Sequence, residues 1–226
     1  MKSDLTAAQK PAPRKAADVG SALPNGAMVG ARLRAERERR DMTLREMARR
    51  IGMSPSLVSQ IERGLVMPSV GTLWSMTTEL GLVMDELFRS AEQGASILGQ
   101  GNDEHGRRVH EHVQRRHNRK RIRLAGGVEW ERLTAQPDDE VEFLYVKYEA
   151  GAESCPADSV FRHGGKEYAY VLEGRLGVQI GFEQYELGPG DSVSFQSQNP
   201  HRLWAIGTEP ALAIWVVVNR TDDNRD

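Results

Sequence analysis

Thiols are nearly absent from this chain: Cys155 is its single cysteine. One thiol closes no internal disulfide, so the fold has to rest on buried apolar surface, and such a composition fits a reducing compartment. Long apolar runs are missing as well. The longest, Ala211 to Val218, is less than half of the roughly 20 residues that a membrane-crossing helix needs, and the N-terminal stretch lacks the apolar core of a signal peptide. These absences exclude a membrane partner and make a cytoplasmic protein the expectation. A surplus of one charge is lacking too. The formal net charge of −2 argues, taken whole, against a nucleic-acid partner.

Division of that charge along the chain removes the objection. Counting Lys and Arg against Asp and Glu, residues 1–27 carry about +2, residues 28–88 about +1, residues 89–126 about +5 and residues 127–226 about −10. The acidic part should avoid DNA and the basic part should approach it. With 226 residues the chain can bury two small cores, so two domains are expected.

The most informative stretch is TLREMARRIGMSPSLVSQIERG, Thr43 to Gly64. Thr43 and Glu46 have capping-box spacing, which predicts a helix start with each side chain satisfying a backbone N–H. Leu44, Met47, Ala48 and Ile51 follow at helical spacing, and Gly52 supplies a left-handed stop. Ser54 then caps a second helix with Pro55 at its first position, where a missing N–H costs nothing. On that helix Val58 and Ile61 can pack inward while Ser56, Gln60 and Arg63 share another face. A recognition helix laid in the major groove needs this division, since Gln can pair with adenine and Arg with guanine.

TLREMARRIGMSPSLVSQIERG resembles the helix-turn-helix of the xenobiotic-response-element (XRE) family, which includes phage repressors and Cro. VGARLRAERERRDM upstream is similar to that family's first helix, and MPSVGTLWSMTTELGLVMDELF downstream to its fourth and fifth. The resemblance implies an all-α five-helix domain over 28–88, a double-stranded DNA operator as partner and a homodimer as the binding unit. It also implies a structural ion pair between Arg37 and Glu62. The DNA-contacting set expected is Thr43, Ser54, Pro55, Ser56, Ser59, Gln60 and Arg63.

Elsewhere in the first half, Pro11, Pro13 and Pro24 among Ala, Lys and Ser predict a disordered arm over 1–27. Val29 and Leu33 give the first helix an apolar face, leaving Arg32, Arg34, Arg39 and Arg40 to water or phosphate. Ser69 caps a helix through Leu73, Met76 and Leu80 that Gly81 ends, and on which Trp74 reads as core. Residues 89–127 read as a basic linker attracting phosphate or simply solvated. Its His105, His110, His112 and His117 have no cysteine or carboxylate framework for a metal cluster.

From Val128 the period becomes that of strands: Val141–Tyr148, Lys166–Leu172, Leu176–Ile180, Ser192–Phe195, Leu203–Ile206 and Leu212–Val218, parted by glycine-bearing turns. Short strands at this spacing indicate an all-β barrel or sandwich over 128–219, before a tail at 220–226. RHGGKEYAYVLEGRLGV and LGPGDSVSFQSQNPHRL are similar to the two motifs of the cupin family, jelly-roll barrels whose mouth holds a metal or a small ligand. His163, Glu167 and His201 match three of that family's ligand positions, and Phe161 stands at the first histidine position. Gln196, Gln198 and Ala205 replace the second motif's Pro, Gly and Asn.

Two histidines and a carboxylate can form a facial triad around a divalent ion such as Fe, Zn, Mn or Ni. The odd numbering of Phe161, His163 and Glu167 puts them on one side of a regular strand. No cofactor is certain from the sequence, and an apo pocket in which Phe161, His163, Glu167 and His201 surround an organic effector stands beside the metal reading. Cys155 reads as a small buried hydrophobe rather than a redox sensor. Together these features give a DNA-binding transcriptional regulator, not an enzyme, with a cupin domain sensing a small-molecule effector. The runner-up is a metal-dependent cupin enzyme with a vestigial DNA-binding domain, because HGGKEYAYV also resembles the iron site of hydroxypropylphosphonate epoxidases. A cupin scaffold without a ligand is the third reading.

Overall fold

The computed structural model describes residues 26–88 and 112–219. The arm at 1–25, most of the basic stretch and the tail from 220 lie outside the described residues, as do His105 and His110.

Five helices make up the first part: α1 (Gly26–Arg39), α2 (Leu44–Arg50), α3 (Pro55–Glu62), α4 (Val70–Glu79) and the single turn α5 (Met84–Leu87). α1 starts two residues before the expected Met28. The caps form where the sequence places them: the hydroxyls of Thr43, Ser54 and Ser69 accept the N–H groups of Glu46, Leu57 and Thr72. The capping box is only half made, however, because the Glu46 carboxylate accepts from Arg50 one turn ahead. Gly52 adopts φ 69° and reverses the chain between α2 and α3, a conformation that would strain any residue with a Cβ. Val29, Leu33, Met47, Val58, Ile61, Leu73 and Met76 fill the core. Beneath it Arg37 forks onto Glu62 at 2.6 and 2.9 Å and also donates to the Met42 carbonyl at 2.7 Å.

The second part holds nine strands: β1 (Arg121–Leu124), β2 (Val128–Arg132), β3 (Val141–Tyr148), β4 (Lys166–Glu173), β5 (Leu176–Ile180), β6 (Glu183–Leu187), β7 (Ser192–Gln196), β8 (His201–Ala205) and β9 (Ala211–Val218). All named pairings are antiparallel, in a six-stranded sheet β1-β2-β3-β9-β4-β7 and a three-stranded sheet β6-β5-β8. β9 and β3 alternate cleanly between buried and outward residues, as half-buried strands must.

β1 corrects the linker reading of 89–127. Within the basic run Ile122 and Leu124 turn inward, while Arg121 reaches Glu131 at 2.7 Å and Arg123 reaches Glu129 at 2.7 Å on β2. Arg119 adds a second contact to Glu131 at 3.1 Å. These cations are matched by the barrel's own carboxylates, which weakens the notion that they serve as loose phosphate contacts.

The two parts touch through α4 and the residues before it, and again where the Met84 N–H at the start of α5 donates to the Glu142 carboxylate on β3 at 3.3 Å. The Gly71 N–H donates to the Ser154 carbonyl at 3.1 Å, and the Ala125 N–H to the Pro68 carbonyl at 3.0 Å. A Cβ at position 71 would lie 3.2 to 3.4 Å from Phe161 and Cys155, so glycine is what lets the helix approach this closely. α4 thereby lies over the mouth of the barrel.

Candidate functional site

Two candidate sites stand out, one on α3 and one inside the barrel. On α3, Val58, Ile61 and Glu62 are buried, which fixes the roll of the helix. Ser54, Pro55, Ser56 and Arg63 are left exposed and Ser59 and Gln60 half-buried, and Thr43 is exposed at the start of α2. Thr43 and Ser54 also serve as caps, so their hydroxyls already accept one hydrogen bond each. Arg63 folds its Nε onto the Ser59 carbonyl at 3.2 Å, which steadies the guanidinium at the helix end. Beyond it Leu65 and Val66 are exposed apolar residues that nothing in the sequence pattern singles out.

On α1 three of the four arginines expected to face water or phosphate are already engaged. Arg34 pairs with Glu38, and Arg39 and Arg40 both pair with Glu36. Solvent screens exposed pairs of this kind, so they can exchange partners at little cost.

In the barrel, His163, Glu167 and His201 converge from three places. Glu167 projects inward from β4, His201 opens β8, and His163 sits in the irregular segment before β4. The regular strand assumed for Phe161 to Glu167 is therefore not present, since Gly164 and a left-handed Gly165 (φ 96°) intervene; the side chains nonetheless meet. Their ligating atoms all lie within 4.8 Å of one another, and all three residues are buried. His163 Nε2 stands 3.0 Å and His201 Nε2 3.2 Å from Glu167 Oε1.

The hydrogen bonding around the triad decides what it can hold. Nδ1 of His163 faces the Gly164 carbonyl at 2.9 Å and Nδ1 of His201 the Asn199 carbonyl at 2.9 Å. A carbonyl only accepts, so both Nδ1 atoms carry the proton and a neutral ring presents a bare Nε2. Burial, opposed by the nearby Glu167 charge, pushes the His201 imidazole below its ordinary range, toward that neutral form. Burial would raise the Glu167 carboxyl, but the adjoining histidines, when they carry the second proton, and the Trp215 N–H outweigh it and hold the group lower, toward the carboxylate. Trp215 Nε1 donates to Glu167 Oε2 at 2.7 Å and leaves Oε1 aimed at the histidines. His163 Nε2, His201 Nε2 and Glu167 Oε1 make no hydrogen bond of good geometry with any protein group. Three converging lone-pair atoms with backbone-fixed tautomers are the donor set a divalent cation requires, and the residues fit it.

The space beside the triad is small and apolar. A cavity of about 20 Å³, lined by Val70, Trp74, Trp130, Tyr148, Phe161 and Trp215 among others, has room for about one water molecule. Phe161 packs edge-on against His201 with ring centroids 4.3 Å apart. Trp74 is buried core, as the sequence reading expects, and it also belongs to the pocket wall. Its indole lies parallel to the His163 ring, 3.8 Å away at an interplanar angle of 5°, and edge-on to Trp130 at 6.1 Å. Helical spacing cannot separate a residue buried within its own bundle from one buried against a neighbouring domain. Cys155 is buried as anticipated, its thiol donating to the Ser159 carbonyl at 3.3 Å. Among the described residues the triad is the only group of three or more His, Cys, Asp or Glu arranged to hold a metal; His112 and His117 join no such group.

Residues 33–87 match the helix-turn-helix family and residues 144–217 the cupin-domain family. The chain joins an XRE-type helix-turn-helix domain to a cupin domain. Its helix-turn-helix and cupin parts together are similar to the HTH-type transcriptional regulator PuuR of Escherichia coli K12, at 23% identity over 181 residues, covering 78% of this chain and 86% of that one. Among solved structures, an HTH_3 family transcriptional regulator from Vibrio cholerae superposes with a TM-score of 0.59 at 22% identity, over 85% of this chain and 96% of that one, a likeness of fold. The hydroxypropylphosphonic acid epoxidase from S. wedmorenis reaches a TM-score of 0.41 at 21% identity over 86% and 98% of the two chains, too low to carry an argument either way.

Proposed function

We propose that this protein is a DNA-binding regulator of transcription whose helix-turn-helix domain reads an operator and whose cupin domain responds to a ligand in the barrel. The observation that carries the reading is the division of α3: buried Val58 and Ile61 fix its roll while Ser56, Gln60 and Arg63 stay available on the outer side. Kinship with a transcriptional regulator across both domains supports it. Gln60 and Arg63 are the base-reading groups in this proposal, with Thr43, Ser54, Pro55, Ser56 and Ser59 placing the helix on the backbone.

A palindromic operator needs two recognition helices, and hence two copies of the chain. The surface proposed for that pairing is the outer face of β3, β9 and β4. There Phe143, Val216 and Tyr168 form one cross-strand row and Tyr145, Ile214 and Tyr170 the next, with Tyr168 and Tyr170 over two-fifths exposed. An aromatic face of this kind, flanked by Lys166 over the Tyr168 ring and Arg119 over the Tyr145 ring, is expected to bury itself against its own copy.

In the barrel His163, Glu167 and His201 would hold a divalent ion, which when bound supplies a Lewis-acid position for an oxygen donor of an effector. The test of the main reading is a mobility shift with DNA from upstream of the protein's own gene. A sequence-specific shift that Gln60→Ala weakens by about 1–3 kcal/mol is the expected result; no specific shift at any moderate salt would end the proposal. An enzyme reading draws on the bare donor set alone, and metal analysis after purification without chelator decides whether that set is filled.

A further inference from the structure

Trp74 belongs to the DNA-binding domain yet completes the wall of the cupin pocket. Its indole fills a flat slot bounded by the His163 ring on one side and reached edge-on by Trp130. What remains open, about 20 Å³, admits one water but no organic molecule. The walls around that slot are apolar or aromatic, Glu167 being the charged group among them. α4, which carries Trp74, is held to the barrel at its N-terminal end by Gly71 and Pro68, with Gly71 directly over Phe161 and Cys155.

We propose that the slot now filled by the Trp74 indole is the seat of the pocket's organic ligand, a compact molecule with a flat unsaturated ring, which enters by displacing α4 from the barrel. This deepens the sensor reading above and rests on it for its purpose, though not for its chemistry. The parallel stack on His163 selects for flatness, and the apolar walls beside the Glu167 carboxylate select against an anionic ring. Trp74 is tethered, so it competes at a high effective concentration and keeps the free chain closed. Ligand occupancy and the position of the helix-turn-helix domain then exclude one another through one side chain, which gives the pocket a direct mechanical link to α3.

Free indole is the probe, with cyclohexanol as a ring of similar size that is not flat. Trp74→Ala should bind indole at least ten-fold more tightly than the native protein, and at least ten-fold more tightly than it binds cyclohexanol, by calorimetric titration. In the native protein saturating indole should speed alkylation of Cys155 at least three-fold, because displacement of α4 uncovers that thiol; this measurement stands even if Trp74→Ala fails to fold. Equal indole affinity in the two proteins, equal affinity for the two rings, or an alkylation rate indifferent to indole would each overturn the proposal. Neither DNA nor metal enters these measurements, so loss of operator binding would strike the regulator reading and leave this inference standing.

Discussion

Cys155 shows how far one residue's surroundings set its chemistry. Burial pushes its thiol above the ordinary range, with the Ser154 hydroxyl and Arg202 opposing only in part. A raised thiol is protonated at neutral pH, so alkylation in the native protein should be slow at pH 7–8 and climb only above the ordinary thiol value, while denaturant should bring it to the rate of a free cysteine at once. The same shift makes its contribution to stability complete below the unfolded thiol pKa and lost as pH rises through the folded one. A melting temperature that rises between pH 9 and 10 would contradict the assignment. At the triad, His163→Ala and His201→Ala should each abolish retention of the same divalent ion, read by elemental analysis; full occupancy in either variant would refute a shared site. Glu167→Gln should weaken retention too, since it removes the anionic oxygen the histidines face. The triad was legible from its residue types and the motifs around them. The companions that make it a site, Trp215 on the carboxylate and Trp74 on the imidazole, were not, because they come from distant strands and another domain with no motif of their own.

Among the elements, helix boundaries were the most readable, because Ser, Thr and Gly at the ends satisfy backbone groups in ways set by local geometry alone. Ser69→Ala should therefore lower stability by about 1 kcal/mol, measurable by urea unfolding, and by destabilising α4 should loosen the contact over Cys155 as well. Strands were readable where one face is buried, as in β3 and β9. β6 carries no such signal, since Glu183 to Leu187 shows no alternation and its residues are largely exposed. β1 was hidden for the opposite reason: its arginines read as solvent groups until Glu129 and Glu131 are placed opposite them on β2. The outer face of β3, β9 and β4 also belongs to this scale. Tyr170→Glu would set a charge at the β4 end of the aromatic rows and is expected to convert a dimer to monomer in sedimentation, without loss of the fold.

For the whole molecule, the decisive feature is that α4 serves two masters, the helical core through Leu73 and Met76 and the barrel mouth through Gly71 and Trp74. No pattern within either domain predicts such sharing, because it is set by how the two domains pack on each other. It can be frozen chemically. A Cβ at position 71 would sit 3.4 Å from Cβ of Cys155, near the short end of disulfide spacing. Gly71→Cys should therefore cross-link to Cys155 under mild oxidant, remove both thiols from a thiol count, and fix the two domains in the closed arrangement until a reductant is added. In the oxidised form any ligand-dependent change in DNA affinity should vanish and return on reduction.

The place of β9 has a consequence for how the protein is made. It is the last strand in order but lies in the middle of the six-stranded sheet, between β3 and β4. The helix-turn-helix domain contacts mainly itself and can fold while the chain is still emerging from the ribosome. The barrel cannot: until Ala211 to Val218 has left the exit tunnel, β3 and β4 have no common neighbour and their apolar inner faces stay uncovered. A nascent chain stopped near residue 205 should thus carry a protease-resistant helical domain beside an unprotected barrel, and this interval is when the protein most needs a chaperone.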